Sequence, residues 1–139
     1  MVYESFDEKN TFEIAFNMAL EAGPGDIIAL TGDLGVGKTA FTKGFAAGLG
    51  IEDAIVSPTF TFVQAYDEGR LPLYHFDVYR ISDVSEMDEI GYEDCFFGDG
   101  VSIMEWADLV DDIIPQNAIR INISKDLSKG VDYRRIEIK

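Results

Sequence analysis

Residues 27–49 read IIALTGDLGVGKTAFTKGFAAGL, and no other stretch constrains the fold as tightly. The opening run, IIALT, is apolar and Ile-rich, which suits a buried strand. Gly32 to Thr39 then match the pattern G-x-x-x-x-G-K-[ST]. Glycines let a backbone wrap closely around an anion with its N–H groups turned inward. A helix starting near Lys38 brings its positive dipole end to the same place. Gly32, Leu34, Gly35, Val36, Gly37, Lys38, Thr39 and Ala40 form the candidate cradle. In such a loop the lysine reaches the β- and γ-phosphates, and the threonine offers its hydroxyl to Mg2+. Phe41, Phe45 and Leu49 share one helical face, and Gly44 and Gly48 permit close packing on that helix. The strand before and the amphipathic helix after separate this loop from a glycine-rich turn holding an incidental lysine.

The rest of the chain supplies alternating elements. Val2 to Phe6 reads as a short strand. A helix follows, with Asn10 as its cap, Glu13 reaching back, and Phe12, Ala15, Phe16, Ala19 and Leu20 as its apolar face. Residues 57–66 and 71–80 read as two strands of a hairpin around DEGR. Residues 85–96 read as helical, broken at Gly91. VSIMEW at 101–106 is another buried strand, and a short helix runs from it to Pro115. Ile119, Ile121 and Ile123 alternate along a strand whose antiparallel partner is residues 133–139. These elements predict an α/β fold of the P-loop NTPase kind in a single domain, residues 1–139. Its central sheet is mainly parallel, with antiparallel hairpin additions and helices on both faces.

Charge narrows the partners. The chain has 26 acidic and 11 basic residues, a net charge of −15. Affinity for nucleic acid comes largely from Lys and Arg neutralising phosphates, so tight independent binding of DNA or RNA is excluded. The acids serve either as a docking face for a basic partner or as a solvated surface. One cysteine, Cys95, rules out an internal disulfide and fits a reducing, cytoplasmic setting. It is expected to be buried and inert. Neither a secretory leader nor an 18-residue apolar span is seen.

A phosphate loop that hydrolyses nucleotide needs acids to hold the metal and direct water. Glu105 ends the apolar strand VSIME, where such an acid belongs; a helix-capping acid is the plain alternative. Asp77 lies in YHFDVYR, with a surface ion pair as its alternative. On a strand, His75, Asp77 and Tyr79 form a polar stripe that must face something wet or charged, opposite Tyr74, Phe76 and Val78. His75 reads as structural sooner than catalytic. Arg80 is either an arginine finger or an ion-pair partner. The chain has no N-K-x-D guanine reader and no arginine-rich lid, so an ATPase is favoured over a GTPase or a small-metabolite kinase. A nucleotide-dependent signalling module with negligible turnover is the remaining alternative.

GDLGVGKT, SPTFTFVQAY, YHFDVYR and MEW, in this order and spacing, resemble the bacterial tRNA threonylcarbamoyladenosine biosynthesis ATPase family, TsaE. The resemblance runs from about Asn10 to Trp106. Its P-loop is generic; the SPTF, HFDxYR and EW set is specific. GVGK stands where the family commonly has GAGK. The resemblance implies a Mg2+-dependent ATPase that binds and resets a TsaB–TsaD protein pair. It meets tRNA only through that complex, has no DNA or membrane partner, and hydrolyses ATP weakly alone. It further implies that Lys38 and Thr39 hold phosphate and Mg2+, that Thr59 senses the γ-phosphate, and that Asp77 and Glu105 position metal and water. Which acid acts as base stays open. Thr11 is placed near the adenine, and Trp106 beside the site.

Overall fold

The computed structural model describes residues 1–139 apart from Leu34, Ser57, Thr59 and Phe60. Seven strands form one sheet: β1 (Val2–Ser5), β2 (Ile27–Thr31), β3 (Val63–Tyr66), β4 (Leu73–Asp77), β5 (Val101–Glu105), β6 (Ile119–Lys125) and β7 (Arg134–Ile138). Their spatial order is β1-β7-β6-β2-β5-β4-β3. The centre is parallel: β2 lies between β5 and β6, and β4 adds to β5. The flanks are antiparallel, with β3 on β4, and β7 between β6 and β1. This is the mixed α/β architecture expected from the sequence.

Parallel strands covered on both faces need apolar residues on both sides. In β2, Ile28 and Leu30 enter one core cluster while Ile27 and Ala29 enter the other. The first cluster lies under α1 (Glu8–Leu20) and α2 (Lys38–Gly48). The second lies under α3 (Glu86–Glu89), α4 (Tyr92–Phe96) and a 3-10 segment, Ala107–Ile113. Gly91 separates α3 from α4 in a left-handed conformation, φ 72°, which breaks the helix where the sequence indicated.

α1 and α2 meet backbone to backbone. A Cβ on Gly44 would collide with the Phe12 carbonyl, and one on Gly48 with the Phe16 carbonyl. Phe41 and Phe45 are then wholly buried against the sheet, each worth about 1.5–3 kcal/mol. The α1 face differs from expectation. Thr11, Ala15 and Ala19 are its buried residues, whereas Phe12 and Leu20 are exposed. Small residues face α2 because the glycine contacts leave no room for large ones.

Three further expectations are corrected. Asp7, not Asn10, caps α1: its carboxylate accepts from Asn10 N at 2.7 Å, and Asn10 Oδ1 accepts from Phe6 N at 3.2 Å. The helix therefore starts three residues earlier, with a reciprocal bond of the capping-box kind. The hairpin strands are shorter than the apolar runs, Val63–Tyr66 and Leu73–Asp77. Ser57, Thr59 and Phe60 of the first run lie outside the described residues. Cys95 is half-buried, and burial raises its thiol pKa. Among the described residues, no helix is long and apolar enough to cross a membrane.

Candidate functional site

The carboxyl ends of β2, β4 and β5 open on one side of the sheet, the usual place for ligands in open α/β folds. β2 runs directly into the glycine loop. Gly32, Gly35 and Gly37 take φ values of 142°, 79° and 101°, which side-chain-bearing residues rarely adopt. Gly37 is the N-cap of α2 and provides no side-chain cap, so the first turn of the helix ends at a pocket. This open pocket of about 560 Å³ is lined by Gly35 to Ala40, and by Asp77, Glu105 and Trp106. It continues to Asp7, Glu8 and Thr11 at the start of α1.

Lys38 is almost fully buried at the loop's centre. Its Nζ donates to the Gly32 carbonyl at 2.6 Å and the Asp33 carbonyl at 2.8 Å. The same ammonium stands 3.8 Å from the centroid of the Trp106 ring, a cation–π contact. Burial lowers the Lys38 pKa; Glu105, Asp108, Asp33 and Asp77 oppose that shift. The amine is thus held at the centre of the loop by carbonyls, a ring and nearby acids. Trp106 adopts φ 64°, a rare conformation for a bulky residue, and packs on Tyr79 with ring centroids 4.6 Å apart. A strained residue directly after the strand-end acid marks a constrained position.

Glu105 and Asp77 are direct neighbours across β4 and β5, and both are buried. Thr39 donates to Glu105 Oε1 at 3.3 Å, which joins the loop to β5. Glu105 Oε2 meets His75 Nε2 at 2.5 Å. Of the two alternatives for the stripe, wet or charged, His75 meets the second: it is wholly buried and its partner is the strand-end acid. Asp77 Oδ1 accepts from Tyr79 N at 3.1 Å. Among the described residues, no three His, Cys, Asp or Glu side chains are grouped to hold a metal alone. Magnesium that arrives with a nucleotide needs no such group, since it binds through one or two carboxylates and phosphate oxygens. The Thr39 hydroxyl beside Glu105 fits that donor set.

The sequence-derived residues Gly35, Val36, Gly37, Lys38, Thr39, Ala40, Asp77, Glu105 and Thr11 all line this one pocket. Thr11 is buried, with its hydroxyl 2.6 Å from that of Ser5. Gly32, expected in the cradle, does not line the pocket; its carbonyl accepts from Lys38 Nζ. Leu34 and Thr59 lie outside the described residues. Arg80 lines the pocket and is exposed. The sequence reading missed Asp7, Glu8, Lys43, Asp132 and Arg134. Arg134 Nε donates to the Val36 carbonyl at 2.9 Å and pins the loop from β7. No local pattern signals this bond, because it depends on β7 pairing beside β6.

A mixed α/β sheet with a G-x4-G-K-T loop between its central strand and a helix, faced by a strand-end acid, defines the P-loop class. Within that class, the family model described as threonylcarbamoyl adenosine biosynthesis protein TsaE matches residues 5–136. This chain belongs to the TsaE family. It is 46% identical to the tRNA threonylcarbamoyladenosine biosynthesis protein TsaE of Bacillus subtilis, over 96% of this chain and 82% of that protein. The protein of the same name from Treponema pallidum is 43% identical over 71% of this chain and 73% of its own. The crystal structure of Bacillus subtilis YdiB superposes with a TM-score of 0.84 at 40% identity, covering 99% of this chain and 83% of that one.

Proposed function

We propose that this chain is a single-domain, Mg2+-dependent P-loop ATPase that serves threonylcarbamoyladenosine modification of tRNA in the cytoplasm. The observation that carries the reading is the bond from Thr39 to Glu105, residues 66 positions apart. It brings the loop hydroxyl and the strand-end acid together, the pairing that nucleotide hydrolysis needs. Family membership supports the tRNA pathway.

In this reading the α2 N-terminus and the loop N–H groups hold the phosphates. Lys38 exchanges its carbonyl partners for phosphate oxygens. Thr39 and one or both of Asp77 and Glu105 hold the metal, and these two acids also orient the attacking water. Magnesium, when bound, neutralises charge on the phosphates. The part of the pocket beside Thr11 receives the adenine. The turnover drives a conformational cycle in a TsaB–TsaD pair, which handles the tRNA.

The test titrates Mg·ATP and Mg·GTP against Trp106 fluorescence, then measures phosphate release with and without the TsaB–TsaD pair. Adenine-selective binding and partner-stimulated release are expected. Glu105→Gln is expected to keep nucleotide binding and lose release by about 100-fold or more. Binding without partner-stimulated release overturns the reading.

A further inference from the structure

The chain has one histidine, and the expected machinery makes no use of it. His75 sits in the middle of β4 and is wholly buried. A histidine in such a place is commonly a core residue bonded to nearby backbone. Here its Nε2 instead meets the strand-end acid, 30 residues away in sequence, at 2.5 Å.

The register explains the geometry. Asp77 pairs directly with Glu105, and His75 pairs with Ile103. Glu105 therefore bonds its diagonal neighbour, two residues back along β4, a separation that long side chains span. Its direct neighbour is another acid, Asp77. The two Glu105 oxygens have different partners: Oε1 accepts from Thr39 on α2, and Oε2 faces His75 on β4. The acid is thereby held between a helix and a strand. A neutral imidazole has one N–H and one bare nitrogen. The proton belongs on Nε2, where a carboxylate accepts it. Nδ1, which has no partner among the described residues, is then the bare nitrogen, and a buried acceptor is a cheaper orphan than a buried donor.

We propose that His75 is a positioning residue: it donates from Nε2 to Glu105 and fixes the orientation in which that carboxylate meets Thr39 at the phosphate pocket. The inference rests on the reading of Glu105 as a hydrolytic acid. Outer partners of this kind typically change activity by about 10- to 100-fold when removed.

Two measurements test it. Nitrogen-15 spectra of the ligand-free protein report its single imidazole directly. The expected result is a protonated Nε2 and a bare Nδ1, with an Nε2 proton resonance that moves in Glu105→Gln. A bare Nε2 overturns the proposal, and this measurement requires no His75 variant to fold. In steady-state ATP hydrolysis, His75→Leu is expected to lower kcat about 10- to 100-fold while KM for Mg·ATP stays nearly unchanged. His75→Gln, whose amide can donate near the Nε2 position, is expected to recover most of that loss. Equal losses in folded Leu and Gln variants overturn the proposal. Glu105→Gln in the same assay separates the two claims. Full activity there overturns both, whereas activity lost there but kept in His75→Leu overturns only the role of His75.

Discussion

On one face of the sheet two helices of 13 and 11 residues lie in backbone contact; on the other, the described helical segments have four, five and seven residues. The long pair is interlocked through Gly44 and Gly48. The short segments are held by few buried side chains, Met87 in α3, Phe96 in α4, and Ala107 and Val110 in the 3-10 segment, all in the second core cluster. Charge differs in parallel. Residues 81–119, which include the short segments, contain no Lys or Arg. The face that carries Lys38 and Thr39 is the one built so that its helices cannot shift independently. The acid-rich face is assembled from pieces that can settle separately.

Truncating one buried phenylalanine on each face should reveal this most strongly. Phe41→Ala under α2 is expected near the top of the usual cost of about 3–5 kcal/mol, because helices in backbone contact cannot close the cavity. Phe96→Ala, in a five-residue helix packed on Phe76 and Tyr92, is expected near the bottom of it. Urea unfolding of both variants checks this, and equal losses would break the comparison. Gly44→Ala comes next, at about 1–3 kcal/mol from overpacking against the Phe12 backbone. It should also weaken Mg·ATP binding, since α2 carries the site. Asp7→Ala removes the α1 cap and is expected to cost about 1 kcal/mol, read from the same unfolding curves.

The smallest effect lies away from both faces. Bonds from the Tyr133 hydroxyl and then Lys129 hold the Glu4 carboxyl below its ordinary value. A lowered folded-state pKa adds stability above the unfolded value and loses it as pH falls through the folded value. Glu4→Gln should therefore sit slightly below the parent protein at neutral pH. The gap should vanish well below the ordinary glutamate pKa of about 4.3. A gap that persists there would place its cause in packing, not charge.

What the sequence revealed, and what it hid, follows the same local-to-distant gradient. The glycine loop, the β2 strand, the Gly91 break and the β6–β7 hairpin are written in consecutive residues, and the structure has them where they were expected. The α1 cap was misplaced because Asp7 and Asn10 are both good capping residues, and the reciprocal bond to Phe6 N decides between them only in three dimensions. The α1 face was misread because hydrophobicity favours Phe12, whereas close helix contact favours Ala15 and Ala19. At the site, Glu105 was visible as the acid ending an apolar strand, and Asp77 as an acid within YHFDVYR, where the structure ends β4. Their adjacency, the burial of His75 and the hold of Arg134 on Val36 required the sheet order, which no single segment encodes.

That sheet order also bears on how the chain acquires its shape. β2 pairs on one side with β6, about 90 positions later, for example Leu30 with Ile121. Loop-closure entropy makes such distant pairings slow relative to local ones. During synthesis the helix pair α1–α2 can form early, while β2 must wait with one edge bare until β6 has left the ribosome. Since β2 leads straight into the glycine loop, that loop is expected to be among the last parts of the molecule to become rigid.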